Sequence, residues 1–133
     1  MTFKADLLFG QQKEAYARGI IEELKHEKTI NICNNYKYDF ETNKYKYEVK
    51  CDRISIHTNL FFIEYEYNGK PSGINRTHAD FYLLVVGKNI IEIEVEKLLD
   101  LINKKKYVRD VRGGDGGRSK GYLFNLNLIK NSL

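Results

Sequence analysis

At Lys28 the apolar period of the chain changes from 3.6 to two, and that switch limits the fold more than any other feature of the sequence. Between Gln11 and Lys28 the residues Ala17, Ile20, Ile21 and Leu24 recur at i, i+3, i+4 and i+7, which predicts one amphipathic helix. Period-two segments follow: Thr29 to Cys33, Tyr36 to Phe40, and after a turn at Glu41-Thr42-Asn43-Lys44 a long second arm from Tyr45 to Ile56. Leu60 to Tyr67 is a further strand, closed by the Gly-Lys-Pro-Ser-Gly turn. Phe81 to Val86 is apolar throughout and predicts a central strand. Ile90 to Ile93 reads either as a short strand or as the start of the second helix, which Val95, Leu98, Leu99 and Ile102 extend to Lys106. Tyr122 to Ile129 alternates like a last strand. Strands gathered between two helices, with no repeat and no dividing linker, predict one α/β or α+β domain over residues 1–133, its mixed sheet flanked by helices.

Composition removes several classes. With 133 residues, 42% of them hydrophobic and 13% aromatic, the chain can bury a real core. A net charge of +4 and a single proline exclude a disordered polyelectrolyte and a collagen-like or proline-rich chain. The longest apolar run, Phe81 to Val86, falls far short of the ~20 residues that cross a bilayer. The start, MTFKADLLFGQQKE, lacks the apolar core of a secretory signal, so a cytoplasmic protein is expected, with no membrane partner. Cys33 and Cys51 are too few and too far apart for a redox pair or a zinc site, and are expected as reduced core residues.

Charge is uneven along the chain. Residues 101–133 carry eight basic side chains against Asp110 and Asp115, whereas the first hundred residues carry slightly more acids than bases. Lys104, Lys105 and Lys106, with Arg112, Arg118 and Lys120 around the loop Arg112-Gly113-Gly114-Asp115-Gly116-Gly117-Arg118, suit a polyanion. Glycines let a backbone approach phosphates closely. DNA contact is the expected role of these residues; a solvated surface and a flexible connector are the alternatives.

The arm from Tyr45 to Ile56 holds the chemistry. Tyr45, Tyr47, Val49 and Cys51 share one face, and Lys46, Glu48, Lys50 and Asp52 the other. Glu48 and Lys50 therefore stand side by side, and Asp39 in the preceding strand can come opposite them. Two converging carboxylates make a hard oxygen site suited to Mg²⁺, and a neighbouring lysine can orient or deprotonate a bound water. An alternating charged face on an exposed hairpin has the same pattern. Glu14 lies three residues before Ala17 and seven before Ile21, so it projects toward the packed face of the first helix. There it is either a wet first-turn residue or one that points into a polar site.

The run Tyr47-Glu48-Val49-Lys50-Cys51-Asp52-Arg53, then Thr58-Asn59-Leu60-Phe61-Phe62-Ile63-Glu64, then Ser72-Gly73-Ile74 and Thr77-His78-Ala79-Asp80, resembles the small phage-type members of the PD-(D/E)XK nuclease superfamily. The resemblance extends from the Glu14 helix to the glycine-rich segment, and the central block is its specific part. It implies a restriction-endonuclease-like αβββαβ core and a Mg²⁺-dependent deoxyribonuclease, with Mn²⁺ substituting. Asp39 and Glu48 become the metal ligands, Lys50 the catalytic lysine, and Glu14 a helical carboxylate added to the metal site. Asp39 follows Tyr38 where the superfamily motif has proline.

Around this centre Glu64 and Asp52 are candidates for carboxylates that steady the ligands, and Ser72 and Thr77 for hydroxyls that hold a phosphate. A Pro-Ser-Gly turn and a strand-side ion pair explain Ser72 and Glu64 as well. Asp80 is open in the same way, and His57 and His78 have no partner at ligand spacing. The small size suits a structure-selective endonuclease, such as a Holliday junction resolvase acting as a homodimer on DNA. A non-catalytic DNA- or protein-binding module with the same fold is the alternative. Abundant Lys, Asn, Ile and Tyr match an AT-rich genome such as a virus's, which would place the protein in the host cytoplasm.

Overall fold

A computed structural model describes residues 3–33, 35–113 and 116–133, with side chains from residue 9 onward; Gly114 and Asp115 of the basic loop lie outside the described residues. Helix α1 runs Phe3–Lys25, starting before the periodic stretch, and it ends where His26 takes a left-handed φ of 55°. Three strands follow, β1 (Thr29–Ile32), β2 (Phe40–Thr42) and β3 (Lys46–Cys51). They form an antiparallel meander. After the short helix α2 (Ser55–Thr58) come β4 (Leu60–Tyr67), the two-residue β5 (Lys70–Pro71) and a 3₁₀ turn over Gly73–Asn75. Then come β6 (Phe81–Val86), β7 (Asn89–Glu94), α3 (Val95–Asn103), β8 (Arg109–Arg112), β9 (Ser119–Asn125) and α4 (Leu126–Asn131).

Several boundaries differ from the sequence expectation, each for a local reason. The strand expected over Tyr36 to Phe40 instead begins at Phe40 and takes in Glu41 and Thr42, which the expected turn had claimed. The second arm stops at Cys51 rather than Ile56. There the Asp52 carboxylate accepts the Ile54 N–H at 3.3 Å and the Phe62 N–H at 3.0 Å, which turns the chain into α2. The last strand ends at Asn125, whose side-chain oxygen caps α4 by accepting the N–H groups of Asn127 and Leu128 at 2.8 and 3.4 Å. Leu126 and Ile129, read above as alternating, are buried at helical spacing instead. Ile90 to Ile93 resolves as strand, α3 ends at Asn103, and β8 is a strand the sequence reading did not place, ending at Arg112, the first residue of the basic loop.

The strands make two sheets, not one. The first has the order β1-β2-β3-β6-β7, with β6 parallel to β3 and every other pair antiparallel; the second has the order β5-β4-β9-β8 and is antiparallel throughout. The class is thus mixed α/β with one mixed sheet, as expected. The crossover from β3 to β6 carries the four-residue α2, the β4–β5 hairpin and the 3₁₀ turn, where an αβββαβ pattern places a full helix.

Layering follows from the period-two faces. One face of the first sheet, with Phe40, Tyr47, Leu83 and Val85, packs on Ala17 and Ile21 of α1. Its other face, with Tyr82, Leu84, Ile91 and Ile93, meets Phe61, Ile63 and Phe124 of the second sheet and Leu98, Leu126 and Ile129 of α3 and α4. Phe81 to Val86 is an inner strand, as its apolar run predicts, because neighbours pair with it on both sides. Among the described residues no helix is long and apolar enough to cross a membrane.

Candidate active site

Strand β3 is the middle strand of a five-stranded sheet, so its charged face is not the wet side of an exposed hairpin. Tyr47 packs toward α1, with Val49 and Cys51 beside it, which turns Glu48 and Lys50 to the face that meets the second sheet. Glu48 is only 6% exposed, and a carboxylate so deep needs a partner or a function. Lys50 Nζ lies 3.9 Å from Glu48 Oε2, with its ammonium 5.8 Å from the centre of the Tyr82 ring.

Asp39 reaches the pair from the loop that enters β2. Its backbone is held on two sides, the N–H donating to Tyr47 C=O at 2.9 Å and the C=O accepting from the Cys33 N–H at 2.8 Å. Its Oδ2 accepts the Val49 N–H at 2.6 Å, beyond the point where β2 stops pairing with β3. Glu14 comes from α1 and lines the same cleft as Asp39 and Lys50.

The three carboxyls hold protons more tightly than free ones. Burial pushes Glu48 up to about 7; the charges of Asp39 and Glu14 add to the rise, while Lys50 and the Thr77 hydroxyl oppose it. Burial also raises Asp39, against the pull of the Val49 N–H and Lys50. Glu14 is raised by burial and then by Asp39, with Arg18 opposing. Tyr82, opposite Glu48 in the β3–β6 register and 1% exposed, has a hydroxyl that makes no well-formed hydrogen bond; burial and the nearby Glu48, Asp39 and Glu64 hold its proton, against the pull of the neighbouring Thr77 hydroxyl.

Crowded carboxylates whose proton affinity is raised are the donor chemistry that a divalent cation relieves. Among the described residues no three carboxylate, imidazole or thiol groups form a ligand cluster; Glu14 acts on Glu48 and Asp39 through its charge. Asp39 and Glu48 alone fit Mg²⁺, which keeps most of its waters and uses one or two carboxylates.

The cleft beside these groups has a volume of about 850 Å³ and lies between the start of α1, the end of β3 and the outer face of the second sheet. It gathers Glu14, Asp39, Lys50, Asp52 and Arg112 from the sequence candidates. Asp52 serves there as the turn cap described above. Thr77 stands near Glu48 and donates to Lys37 C=O at 3.3 Å. Glu64 and Ser72 pair with each other at 3.0 Å in a separate, smaller pocket that also holds Arg76. Asp80 accepts the Lys46 N–H at 2.8 Å and steadies the start of β3. The basic residues disperse. Lys120 pairs with Glu66 at 3.2 Å and Lys104 with Asp100 at 3.0 Å, and neither they nor Lys105, Lys106 and Arg118 line the cleft. Both cysteines are free and half-buried, less sheltered than expected, and burial raises the Cys51 thiol to about 11.

Three contributors escaped the sequence reading. Tyr82 meets Glu48 only through the β3–β6 pairing, a contact between residues far apart in the chain. Phe62 lines the cleft from the second sheet, and Arg53 stands over the Phe9 ring at 3.8 Å. Arg53 had a visible signal, since it closes the Glu48-to-Asp52 run. Compared with known proteins, the chain matches no family model, no curated protein and no solved structure.

Proposed function

We propose that this chain is a Mg²⁺-dependent deoxyribonuclease that hydrolyses phosphodiester bonds at the Asp39–Glu48–Lys50 centre. The observation that carries the reading is a nearly sealed carboxylate, Glu48, which does not itself line the open cleft but is flanked by Asp39 and Lys50, which do. Glu27 is as deeply buried, but there the carboxylate accepts from the Thr42 and Tyr47 hydroxyls, whereas Glu48 stands among charged groups. The β1–β2–β3 meander, with β6 parallel to β3 and α1 across one face, supports a restriction-endonuclease-like core for the same chain.

Asp39 and Glu48 would hold the metal, which when bound lowers the pKa of water and offsets charge developing on the phosphate. Lys50, next to Glu48, orients the attacking water and adds positive charge at the reacting phosphoryl oxygens. The Val49 N–H fixes Asp39 in place, and Arg112 at the cleft wall offers a contact for the strand's phosphates.

The test compares parent and Glu48→Gln on a four-way junction, a fork, a linear duplex and a single strand, with Mg²⁺ or Mn²⁺. The expected result is cleavage by the parent that falls on the order of 10²-fold or more in the variant. Intact DNA in every arm, or cleavage that the variant retains, overturns the reading.

A further inference from the structure

The second sheet presents two chemically different faces. Phe61, Ile63 and Phe124 fill the core, while Phe62, Val111 and Leu123 turn outward and line the cleft. The Phe62 ring lies against bare backbone at Gly121, where a Cβ would come within 2.5 Å of two ring carbons. Gly121 thus lets the ring lie close on the sheet. Opposite it, Phe9 of α1 supports the Arg53 guanidinium, whose central carbon is 3.8 Å from the ring centroid. The result is an apolar, partly aromatic recess with two guanidinium groups on its walls, directly beside Asp39 and Lys50.

A base inside a duplex has both faces covered by its neighbours and shows only its edges. A recess of this kind offers such a base little, because its lining is mostly ring and alkyl surface. An unpaired base can instead lay its face on an aromatic ring or a guanidinium plane, a contact worth about 1–3 kcal/mol per base. The cleft volume of about 850 Å³ falls within the ~300–1,000 Å³ typical of sites that enclose a small ligand. Arg53, and Arg112, which also donates to the Gly117 C=O at 3.1 Å, place positive charge on the walls near the phosphates on either side of that base, on a lining that also carries Glu14, Asp39 and Asp52.

We propose that the cleft takes up one unpaired, unstacked nucleotide next to the scissile phosphate, so that the substrate class is a single-stranded segment of DNA rather than continuous duplex. That this segment is cut rests on the nuclease reading; the binding of the unpaired base does not. Phe62 supplies the stacking surface, and Arg53, held on Phe9, supplies a second plane together with charge.

The chain contains no tryptophan, so the emission of a 2-aminopurine base in an oligonucleotide can be followed without interference. Single-stranded and fully paired forms of one such oligonucleotide are titrated into Glu48→Gln protein, which keeps the strand intact, and into Glu48→Gln with Phe62→Leu. The expected result is a change in 2-aminopurine emission with the single strand, at least ~10-fold tighter binding of it than of the duplex, and a ~10-fold loss in the Phe62→Leu protein for the single strand only. Equal affinity for both forms with unchanged emission overturns the inference, even if the Phe62→Leu protein does not fold. Cleavage by the parent is scored separately. Equal cutting of duplex and single strand with equal binding removes the cleft's preference and leaves the nuclease standing; selective binding without any cutting removes the nuclease and leaves the cleft as a single-strand site.

Discussion

The Asp39 carboxylate accepts, at 2.6 Å, the N–H of Val49, the residue that separates Glu48 from Lys50. One side chain thereby completes the edge of β3 where β2 no longer pairs and sets a second carboxylate beside Glu48. Structure and chemistry at this point are separable by substitution. Asp39→Asn keeps an oxygen acceptor and discards the charge, so it is expected to unfold within about 0.5 kcal/mol of the parent in urea while losing DNA cleavage. Asp39→Ala removes both, and is expected to cost a further ~1–3 kcal/mol because the Val49 N–H loses its partner. Equal stability of the two variants would contradict the assigned role of the hydrogen bond.

The three raised carboxyls give the metal-free protein a particular pH profile. A free glutamate loses its proton near 4.5, whereas burial holds the Glu48 proton to about 7. Between these values the folded chain binds a proton that the unfolded chain has released. The contribution to stability is therefore complete below pH ~4.5 and is lost as pH rises through 7, by on the order of 3 kcal/mol. Asp39 and Glu14 shift the same way and add to the fall. Urea unfolding in EDTA should show a less stable protein at pH 8 than at pH 5, and Glu48→Gln should flatten the slope. Added Mg²⁺ is expected to restore stability at pH 8 and to do little at pH 5, where protons occupy the same oxygens. A profile that rises toward pH 8 in EDTA would contradict the burial of Glu48.

Strand β3, strand β6 and helix α1 were legible in the sequence because each carries its own period over several residues, and the Glu48-x-Lys50 pairing follows from that period alone. The end of β3 was misread although it left a trace: Ile54 and Ile56 fall on the opposite phase from Tyr45, Tyr47, Val49 and Cys51, and Asp52, through hydrogen bonds to the Ile54 and Phe62 N–H groups, turns the chain at that break. The second sheet was hidden for another reason. Its pairing of β4 with β9 joins residues about sixty positions apart, and period two says that a strand exists without saying which strand lies beside it. The cleft inherits that difficulty, because Phe62, Val111 and Arg112 reach it only through this pairing. The lysines of the carboxy-terminal quarter misled in the opposite sense: their density suggested one patch, and in space Lys104 and Lys120 pair with acidic neighbours outside the cleft.

Gly73 holds the β4 side of the structure to the 3₁₀ turn. Its φ of 50° lies in the left-handed region, and a Cβ there would overlap the Glu64 carbonyl. Gly73→Ala is therefore expected to destabilise the chain by ~2 kcal/mol or more, measured by thermal or urea unfolding. Gly69 also has a positive φ, of 78°, but open space where a Cβ would stand. Gly69→Ala should cost less, about 1 kcal/mol from the backbone conformation alone. A reversed order of the two would contradict the close approach at Glu64.

Tyr82 joins stability and activity in one group. Its hydroxyl is buried beside Glu48 with no well-formed hydrogen bond, the Thr77 hydroxyl being its nearest candidate, a situation that normally costs about 1–3 kcal/mol and that calls for a reason. Tyr82→Phe removes the oxygen and leaves the ring packed against Leu84 and Ile93 in the same core, so the variant should unfold at higher urea than the parent. If the hydroxyl is kept because it donates to the Glu48 carboxylate once that group is ionised, the same variant should cleave DNA more slowly and show a Glu48 that gives up its proton at higher pH. Carboxyl NMR titration of parent and Tyr82→Phe reads the second effect without reference to activity. A variant that is more stable, cuts DNA at the parental rate and leaves Glu48 unmoved would reduce the Tyr82 hydroxyl to a packing defect.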